Sequence, residues 1–141
     1  MKIEICMPGK ISDKPYQKLI DIYLERCCGR LSVGITCCKN HDELLKRITG
    51  RESIVLLDEH AKCYNTDGFT SWLQNKINSG VNNLTFCLGA AEGHDPRVRS
   101  KATEKLSLSP LTMNHQLALL ALTEQLYRAI SIMYNEPYHK A

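Results

Sequence analysis

The sequence lacks the features that mark a membrane-spanning, exported or low-complexity protein. Its 141 residues include no uninterrupted apolar run of about 18 residues, the length that a membrane-spanning helix needs. The opening residues, MKIEICMPGK, hold no apolar stretch of signal-peptide length. Hydrophobic residues make up 43% and charged residues 23% of the chain, an ordinary balance for a globular domain. We therefore expect one domain, residues 1–141, in the cytoplasm and without a membrane partner.

A large excess of one charge is also missing. Eighteen lysines and arginines against fifteen aspartates and glutamates leave a formal charge of +3, too little to attract nucleic acid through a general electrostatic field. Any contact with RNA must then be local. One short basic cluster, formed by Arg97, Arg99, Lys101 and Lys105, is a candidate for it, although such a run more often forms a solvated face.

Cysteine is plentiful, but the spacing typical of a zinc site is absent. The seven cysteines are odd in number and include no Cys-x-x-Cys. The doublets Cys27-Cys28 and Cys37-Cys38 cannot easily turn both sulfurs towards one tetrahedral ion. We therefore favour free thiols packed as small hydrophobic groups, and predict no metal site.

Apolar periodicity predicts strands that alternate with helices. Strands are predicted at residues 2–7, 31–38, 53–57 and 84–88. Helices are predicted from a cap at Ser12 or Asp13 to residue 27, between Asn40 and Gly50, from residue 66 or 67 to 78, and at residues 116–135. The segment at 53–57 is apolar throughout, as expected for a parallel strand that is covered on both faces. The pattern indicates an α/β fold with helices on both faces of a parallel sheet.

A glycine-bearing loop at residues 89–93 follows the predicted strand at 84–88. Loops at the carboxyl ends of strands are where open α/β sheets bind ligands, although two glycines also serve any sharp turn. The loop has neither a Walker lysine nor a G-x-G-x-x-G pattern, so a nucleoside triphosphate or dinucleotide would need another mode of binding. Periodicity alone leaves a flavodoxin-like or regulatory small-ligand domain open.

Four segments together resemble one known family. They are IVLLD at residues 54–58, the loop at 89–93 with Glu92-Gly93, LSLSPLTM at 106–113, and LYRAISI at 126–132 followed by NEPYHK at 135–140. In this order they are similar to the ribosomal RNA large-subunit methyltransferase H family, a minimal SPOUT methyltransferase. The resemblance implies a SPOUT-type parallel-sheet fold with a C-terminal trefoil knot. It also implies a homodimer, built in part by the helix from Gln116.

The activity implied by the resemblance is methylation of N3 of a pseudouridine in large-subunit ribosomal RNA, on the assembled ribosome, with S-adenosyl-L-methionine as methyl donor. Because the sulfonium charge activates the methyl group, no metal is required. Apolar side chains and backbone groups of three loops would bind the adenosine. The implied cofactor-binding residues are Leu57, Gly89, Ala90, Leu108, Ser109, Pro110, Leu111, Thr112 and Met113.

Four further residues carry the implied chemistry at the RNA. His115 and His139 are the candidates for the base that removes the N3 proton near neutral pH. Tyr138 would stack on the target base, and Arg128 would hold a phosphate or stabilise the deprotonated base. Each also has a simpler interpretation as part of a helix or a frayed tail.

The sequence departs from the family pattern at several positions. Ala90 and Ala91 stand where a glycine and a proline are usual, His94 and Asn114 replace apolar or proline residues, and residues 37–52 are shorter and less basic. The added methyl of Ala90 weakens the expected approach of the backbone to the cofactor. A non-catalytic ribosome-binding factor with the same fold is therefore the alternative hypothesis.

Overall fold

The structure, a computed structural model, describes residues 1–89 and 93–140. Five strands and five helices alternate along them. The strands are β1 (Lys2–Pro8), β2 (Ser32–Cys38), β3 (Ile54–Leu57), β4 (Asn83–Cys87) and β5 (Glu104–Leu106). The helices are α1 (Lys14–Cys27), α2 (His41–Ile48), α3 (Thr66–Asn78), α4 (Pro96–Lys101) and α5 (His115–Met133).

The strands form one sheet in the order β2-β1-β4-β3-β5, and every pairing in it is parallel. Because all strands run the same way, their carboxyl ends meet at one edge, where parallel α/β sheets bind ligands. The predicted α/β fold with a parallel sheet is confirmed.

The two faces of the sheet are covered by different helices. On one face α5 packs against α1 and α3, over buried strand residues that include Ile5 and Phe86. On the other face α2 and α4 contact each other and cover Cys6, Leu56 and Cys87. The prediction of helices on both faces is therefore confirmed, with α5 at the centre of the three-helix side.

Gln116 ties the start of α5 to the start of α1. Its side-chain oxygen accepts hydrogen bonds from the backbone amides of Ser12, at 3.0 Å, and Asp13, at 3.2 Å. Asp13 is the N-cap of α1 but caps no amide with its own side chain. A side chain 104 residues away thus satisfies amides that the first turn of a helix leaves unpaired, and fixes the position of the residues that lead into α5.

Several predicted boundaries were wrong. The strand predicted at 84–88 spans Asn83–Cys87, and the last helix spans His115–Met133 instead of 116–135. The third helix, predicted from residue 66 or 67 to 78, is confirmed at Thr66–Asn78, with Asn65 as its cap, whose side chain accepts from the amide of Gly68. The six-residue helix α4 was not predicted, because so short a segment shows no apolar periodicity.

Three sequence expectations concern the state of the thiols, a metal site and a membrane-spanning helix. All seven cysteines are free, and each doublet has one buried and one exposed member: Cys27 and Cys38 are buried, while Cys28 and Cys37 are exposed. Across residues 1–89 and 93–140, no group of three or more His, Cys, Asp or Glu side chains could hold a metal ion. In the same described part of the chain, none of the helices has the length and apolar character to cross a membrane.

Candidate functional site

A cavity of about 330 Å³ opens at the carboxyl edge of the sheet, between the ends of β3 and β4 and the start of α5. Its volume lies within the range of small-molecule sites. The apolar side chains that line it are Leu57, Leu88, Leu108, Leu111, Met113 and Ala118. Leu111 is 73% exposed, so a large apolar side chain stands in solvent at the cavity.

The wall formed by residues 107–114 is shaped by serine hydroxyls. The Ser107 hydroxyl donates to the carbonyl of Ser109 at 2.8 Å and accepts from its amide at 3.1 Å, and the Ser109 hydroxyl accepts from the amide of Leu111. Such local bonds give the backbone an alternative to a helix or strand. The regular serine spacing therefore folds this segment into a compact wall.

Gly89 and His94 form the opposite wall. A Cβ atom at Gly89 would lie 3.3 Å from His94 Nε2, so glycine leaves room for the imidazole. Nε2 lies 2.6 Å from the carbonyl oxygen of Leu57, and the ring thereby joins the end of β3 to the loop after β4. Burial is the main cause of the lowered pKa of His94, which favours the neutral ring with Nε2 as the donor.

Charged groups of both signs line the same cavity. Asp58 follows β3 directly and accepts from Arg99 of α4 at 2.7 Å, and this hydrogen bond is the main cause of the lowered pKa of Asp58. Glu59 and His60 lie beside it. Glu59 thus adds a carboxylate beside the Asp58–Arg99 ion pair and the apolar walls, a combination that suits a ligand with both an apolar ring and positive charge.

The structure brings most of the predicted cofactor-binding residues together at this cavity. Those that line it are Leu57, Gly89, Leu108, Ser109, Leu111, Thr112 and Met113. Pro110 belongs to the same segment but is not part of the lining, and Ala90 lies outside the described residues. Of the four residues predicted to act at the RNA, His115 alone lines the cavity.

The other three, Arg128, Tyr138 and His139, form a second group that we call the tail cluster, together with Glu124. Arg128 donates to Glu124 from Nε at 2.9 Å and from a terminal nitrogen. The Tyr138 hydroxyl donates to the same carboxylate oxygen at 3.0 Å. Arg128 also approaches His139 Nδ1 at 3.1 Å and lies over the Tyr138 ring, 4.8 Å from its centroid.

The turn after α5 returns the tail to its own helix. Asn135 has a φ of 54°, the left-handed conformation that asparagine tolerates better than most residues. The amide of Glu136 then donates to the carbonyl of Ser131 at 2.8 Å, and the Glu136 side chain pairs with Arg30 in the turn after α1. Tyr138 consequently packs on Tyr127, with 4.7 Å between the ring centroids.

The cavity and the tail cluster lie far apart within one chain. His115 begins α5, and Arg128 follows thirteen residues later on the same helix. At a rise of about 1.5 Å per residue, this separates them by about 20 Å along the axis. Arg128, Tyr138 and His139 therefore do not reach the cavity of the same chain, whereas His115 lines it.

Two of the four cations of the basic cluster are paired with acidic side chains. Arg97 contacts Asp42 at 2.6 Å and Asp95 at 3.0 Å, and Arg99 is the partner of Asp58. Lys101 and Lys105 are exposed. The positive field that this cluster offers to RNA is weaker than its composition indicates, since two of its four cations face carboxylates.

Sequence reasoning missed three residues at these two places. Asp58 had a usable signal, because it directly follows a buried strand of a parallel sheet. Glu124 forms an i,i+4 pair with Arg128 that is visible in the sequence, but its contact with Tyr138 depends on the turn after α5. His94 was noted only as a departure from the family pattern.

Residues 1–139 match the family model described as "Predicted SPOUT methyltransferase". Proteins named ribosomal RNA large subunit methyltransferase H are similar over nearly the whole chain. The one from Porphyromonas gingivalis strain W83 is 40% identical and the one from Flavobacterium johnsoniae 35% identical, each alignment covering 99% of this chain and 99% of the relative.

The fold is also similar to a solved structure of low sequence identity. The SpoU methyltransferase AviRb from Streptomyces viridochromogenes, in complex with the cofactor AdoMet, aligns with a TM-score of 0.50 at 15% identity. The alignment covers 96% of this chain and 61% of that one. The chain thus spans about three-fifths of that larger protein, and the likeness concerns the fold.

Proposed function

The chain belongs to the SPOUT methyltransferase family and, within it, to the ribosomal RNA large subunit methyltransferase H family, and we propose that it methylates N3 of a pseudouridine in large-subunit ribosomal RNA on the assembled ribosome. The cavity at the carboxyl edge of the sheet carries the proposal, because three separate segments place the residues implied for the cofactor around it. A cytoplasmic location follows from a ribosomal substrate.

The residues of the cavity fit S-adenosylmethionine, which supplies an activated methyl group when bound. Leu57, Leu108 and Met113 offer apolar walls for an adenosine, and the backbone of residues 108–113 offers polar groups for its edge. Glu59 places a carboxylate beside the Asp58–Arg99 ion pair, where a cationic ligand gains from it. Gly89 supports the fit as well, since its missing Cβ lets Gly93 and the His94 ring pack closely beside it at the cavity.

The proposed enzyme is a homodimer in which the tail cluster of one subunit serves the cavity of its partner. The separation of about 20 Å along α5 supports this arrangement, because one chain cannot bring Arg128 and His139 to its own cavity without unwinding the helix. Exposed apolar side chains on the adjoining helices α1 and α5, Leu19 at 45% and Leu117 at 40% exposure, support an interface there.

A C-terminal trefoil knot is part of the proposal. After β4 the chain passes to α4 and the edge strand β5, and then returns through residues 107–114 to α5. Helix α5 packs between α1 and α3. This return past the ends of β3 and β4 is compatible with threading through a loop. A crystal structure of the protein would test the knot directly.

Within this scheme the cavity holds the methyl group and the RNA-directed residues orient the target base. His115 lines the cavity and is the proposed acceptor of the N3 proton. Recognition of the assembled ribosome agrees with the small net charge of +3, since a weak field favours recognition by shape over general attraction to RNA.

The test is transfer of labelled methyl groups to ribosomes that lack the modification, with assembled ribosomes and free large subunits assayed side by side. We expect label in assembled particles, at one position that mass spectrometry identifies as N3-methylpseudouridine. Equal labelling of naked RNA would contradict the requirement for the ribosome. Sedimentation of the free protein should give the mass of a dimer, and a monomer at assay concentration would contradict the shared site.

Two negative outcomes have separate meanings. Binding of S-adenosylmethionine without any labelled ribosome would leave a methyltransferase with another target. Absence of both binding and labelling would favour the alternative, a non-catalytic ribosome-binding factor with this fold.

A further inference from the structure

The hydrogen bonds of the tail cluster converge on one carboxylate. Oxygen Oε1 of Glu124 accepts from Arg128 and from the Tyr138 hydroxyl, while Oε2 accepts from the Gln125 amide at 2.7 Å. Since the Tyr138 hydroxyl donates its hydrogen bond to Glu124, its oxygen accepts one from the Tyr23 hydroxyl, at 3.2 Å. Glu124 therefore holds Arg128 and Tyr138 in fixed positions against α5.

The position of Arg128 decides where His139 carries its proton. A guanidinium has N–H donors and no acceptor, so in the 3.1 Å contact Nδ1 of His139 must be the acceptor. A neutral His139 then carries its single proton on Nε2. With Nδ1 occupied and Nε2 protonated, neither nitrogen has a free lone pair for a proton from the substrate.

The remaining groups of the cluster cannot act as a base either. The Tyr138 hydroxyl keeps its proton, because burial together with its bonds to Tyr23 and Glu124 raises the pKa of Tyr138. Glu124 is occupied by the donors described above, and Arg128 is a permanent cation. The cluster thus offers an incoming molecule hydrogen-bond donors and positive charge.

We propose that the tail cluster acts as a hydrogen-bond donor to carbonyl oxygens of the target base and not as its general base, with Glu124 as the positioning residue that sets this polarity. The inference rests on the proposed function for its substrate. A pseudouridine ring has a carbonyl on each side of N3, so loss of the N3 proton spreads negative charge over two oxygens. Nε2–H of His139 and the guanidinium of Arg128 match such a group.

Transfer of the methyl group to N3 needs no proton acceptor in the tail cluster. The N3 proton leaves to His115 of the cavity or to water, and the electron pair on N3 forms the new nitrogen–carbon bond. The bond between that methyl carbon and the sulfonium sulfur breaks, and its electron pair stays on sulfur. Donors aimed at the two oxygens stabilise the charge that develops on them.

Two substitutions at His139 separate a donor from a base. The side-chain amide of His139→Gln can place an N–H near the position of Nε2 but takes up no proton near neutral pH, whereas His139→Ala removes both abilities. We expect His139→Ala to lower kcat on ribosomes by about 100-fold, the cost of one lost donor to a developing oxyanion. His139→Gln should stay within about tenfold of wild type.

Glu124→Gln tests the positioning role. It weakens the hold on Arg128, and we expect kcat to fall about tenfold with an unchanged KM for S-adenosylmethionine, since Glu124 orients groups that face the target base and is not part of the lining of the cavity. Ring nitrogen NMR of histidine-labelled protein gives an independent readout. His139, assigned by the loss of its signals in His139→Gln, should show an unprotonated Nδ1 in wild type and a shifted Nδ1 signal in Glu124→Gln.

The outcomes distinguish this inference from the proposed function. If wild type labels ribosomes but the Gln and Ala variants at position 139 are equally impaired, His139 acts as the base and the inference is wrong. A proton on Nδ1 in the NMR spectrum would also overturn it. If wild type labels no ribosome, the proposed function fails while the NMR result still reports the polarity of the cluster. Cofactor binding and urea unfolding of each variant identify any loss of fold.

Discussion

Gly89 and Gly93 approach each other so closely that a Cβ atom on Gly89 would lie 3.2 Å from the backbone carbon of Gly93. This distance is shorter than an ordinary van der Waals contact, and its far side is backbone, which cannot rotate away. A side chain at residue 89 would therefore require Gly93 or the His94 ring to shift.

Gly89→Ala is accordingly expected to weaken cofactor binding by about tenfold, equivalent to about 1.4 kcal/mol, because Gly93 and the His94 ring must shift. Isothermal titration with S-adenosylmethionine measures this. Gly34→Ala in β2 is the matched control, since an added Cβ there has no neighbour within 4 Å. Unchanged affinity in Gly89→Ala would show that the cofactor tolerates a displaced loop.

Gln116→Ala is expected to lower the free energy of unfolding by about 1–2 kcal/mol, because two amides at the start of α1 lose their acceptor in a partly buried place. Urea unfolding measures the change. Gln17→Ala is the control: Gln17 bonds to Asp21 on the exposed side of α1, and its removal should cost less than about 0.5 kcal/mol. Equal losses would mean that the link from α5 to α1 adds no stability.

The carboxyl group of Glu4 should make stability fall in acid. Burial alone would raise its pKa, but hydrogen bonds from Arg47 and Thr36 and the charge of Arg51 outweigh this and lower it from 4.5 to about 2. A lowered folded-state pKa gives stability that is present above pH 4.5 and is lost as the pH falls towards 2. With a side chain 17% exposed, we expect about 2 kcal/mol after allowance for solvent screening.

Urea unfolding of wild type and Glu4→Gln at several pH values isolates this contribution. The difference between the two proteins should be full at pH 7 and shrink between pH 4.5 and 2. A difference that stays constant across this range would assign the effect to the shape of the side chain and not to its charge.

Thiol labelling should divide the cysteines into two groups. Cys28, Cys37 and Cys63 are exposed and should react in the native protein, whereas Cys6, Cys27, Cys38 and Cys87 are buried. Burial raises the pKa of Cys27 to about 11 and that of Cys87 to about 12, which suppresses the reactive thiolate. Mass spectrometry should find three labels in native protein and seven after denaturation; fast labelling of Cys87 would contradict the packing of the α2 and α4 face.

The sequence predicts the layered fold well because its long elements have clear periodicity. The apolar stripe from Tyr16 to Cys27 gives α1, and the apolar run at 53–57 gives a buried parallel strand. It predicts α4 and β5 poorly, because six and three residues are too few for a period and their positions depend on contacts with β3 and α2.

The candidate site divides in the same way. Residues of the cavity could be expected at one edge, since the carboxyl ends of parallel strands meet there. The grouping of Tyr138 and His139 with Glu124 could not be predicted from the sequence. It depends on the left-handed turn at Asn135 and on a hydrogen bond between residues 14 positions apart. A motif at the end of a chain indicates which residues matter but not which of them hold one another.

The edge strand β2 can affect how the purified protein behaves. Strand β2 pairs with β1 on one side and lies at the edge of the sheet on the other. Its sequence, SVGITCC, contains no charged residue and no proline. An uncharged edge strand of this kind can pair with a strand of a second chain. Cys37 is exposed on this strand. When two edge strands pair transiently, oxidation by air can therefore link two molecules through a disulfide between their Cys37 residues. A reducing agent thus protects the preparation against aggregation as well as against oxidation.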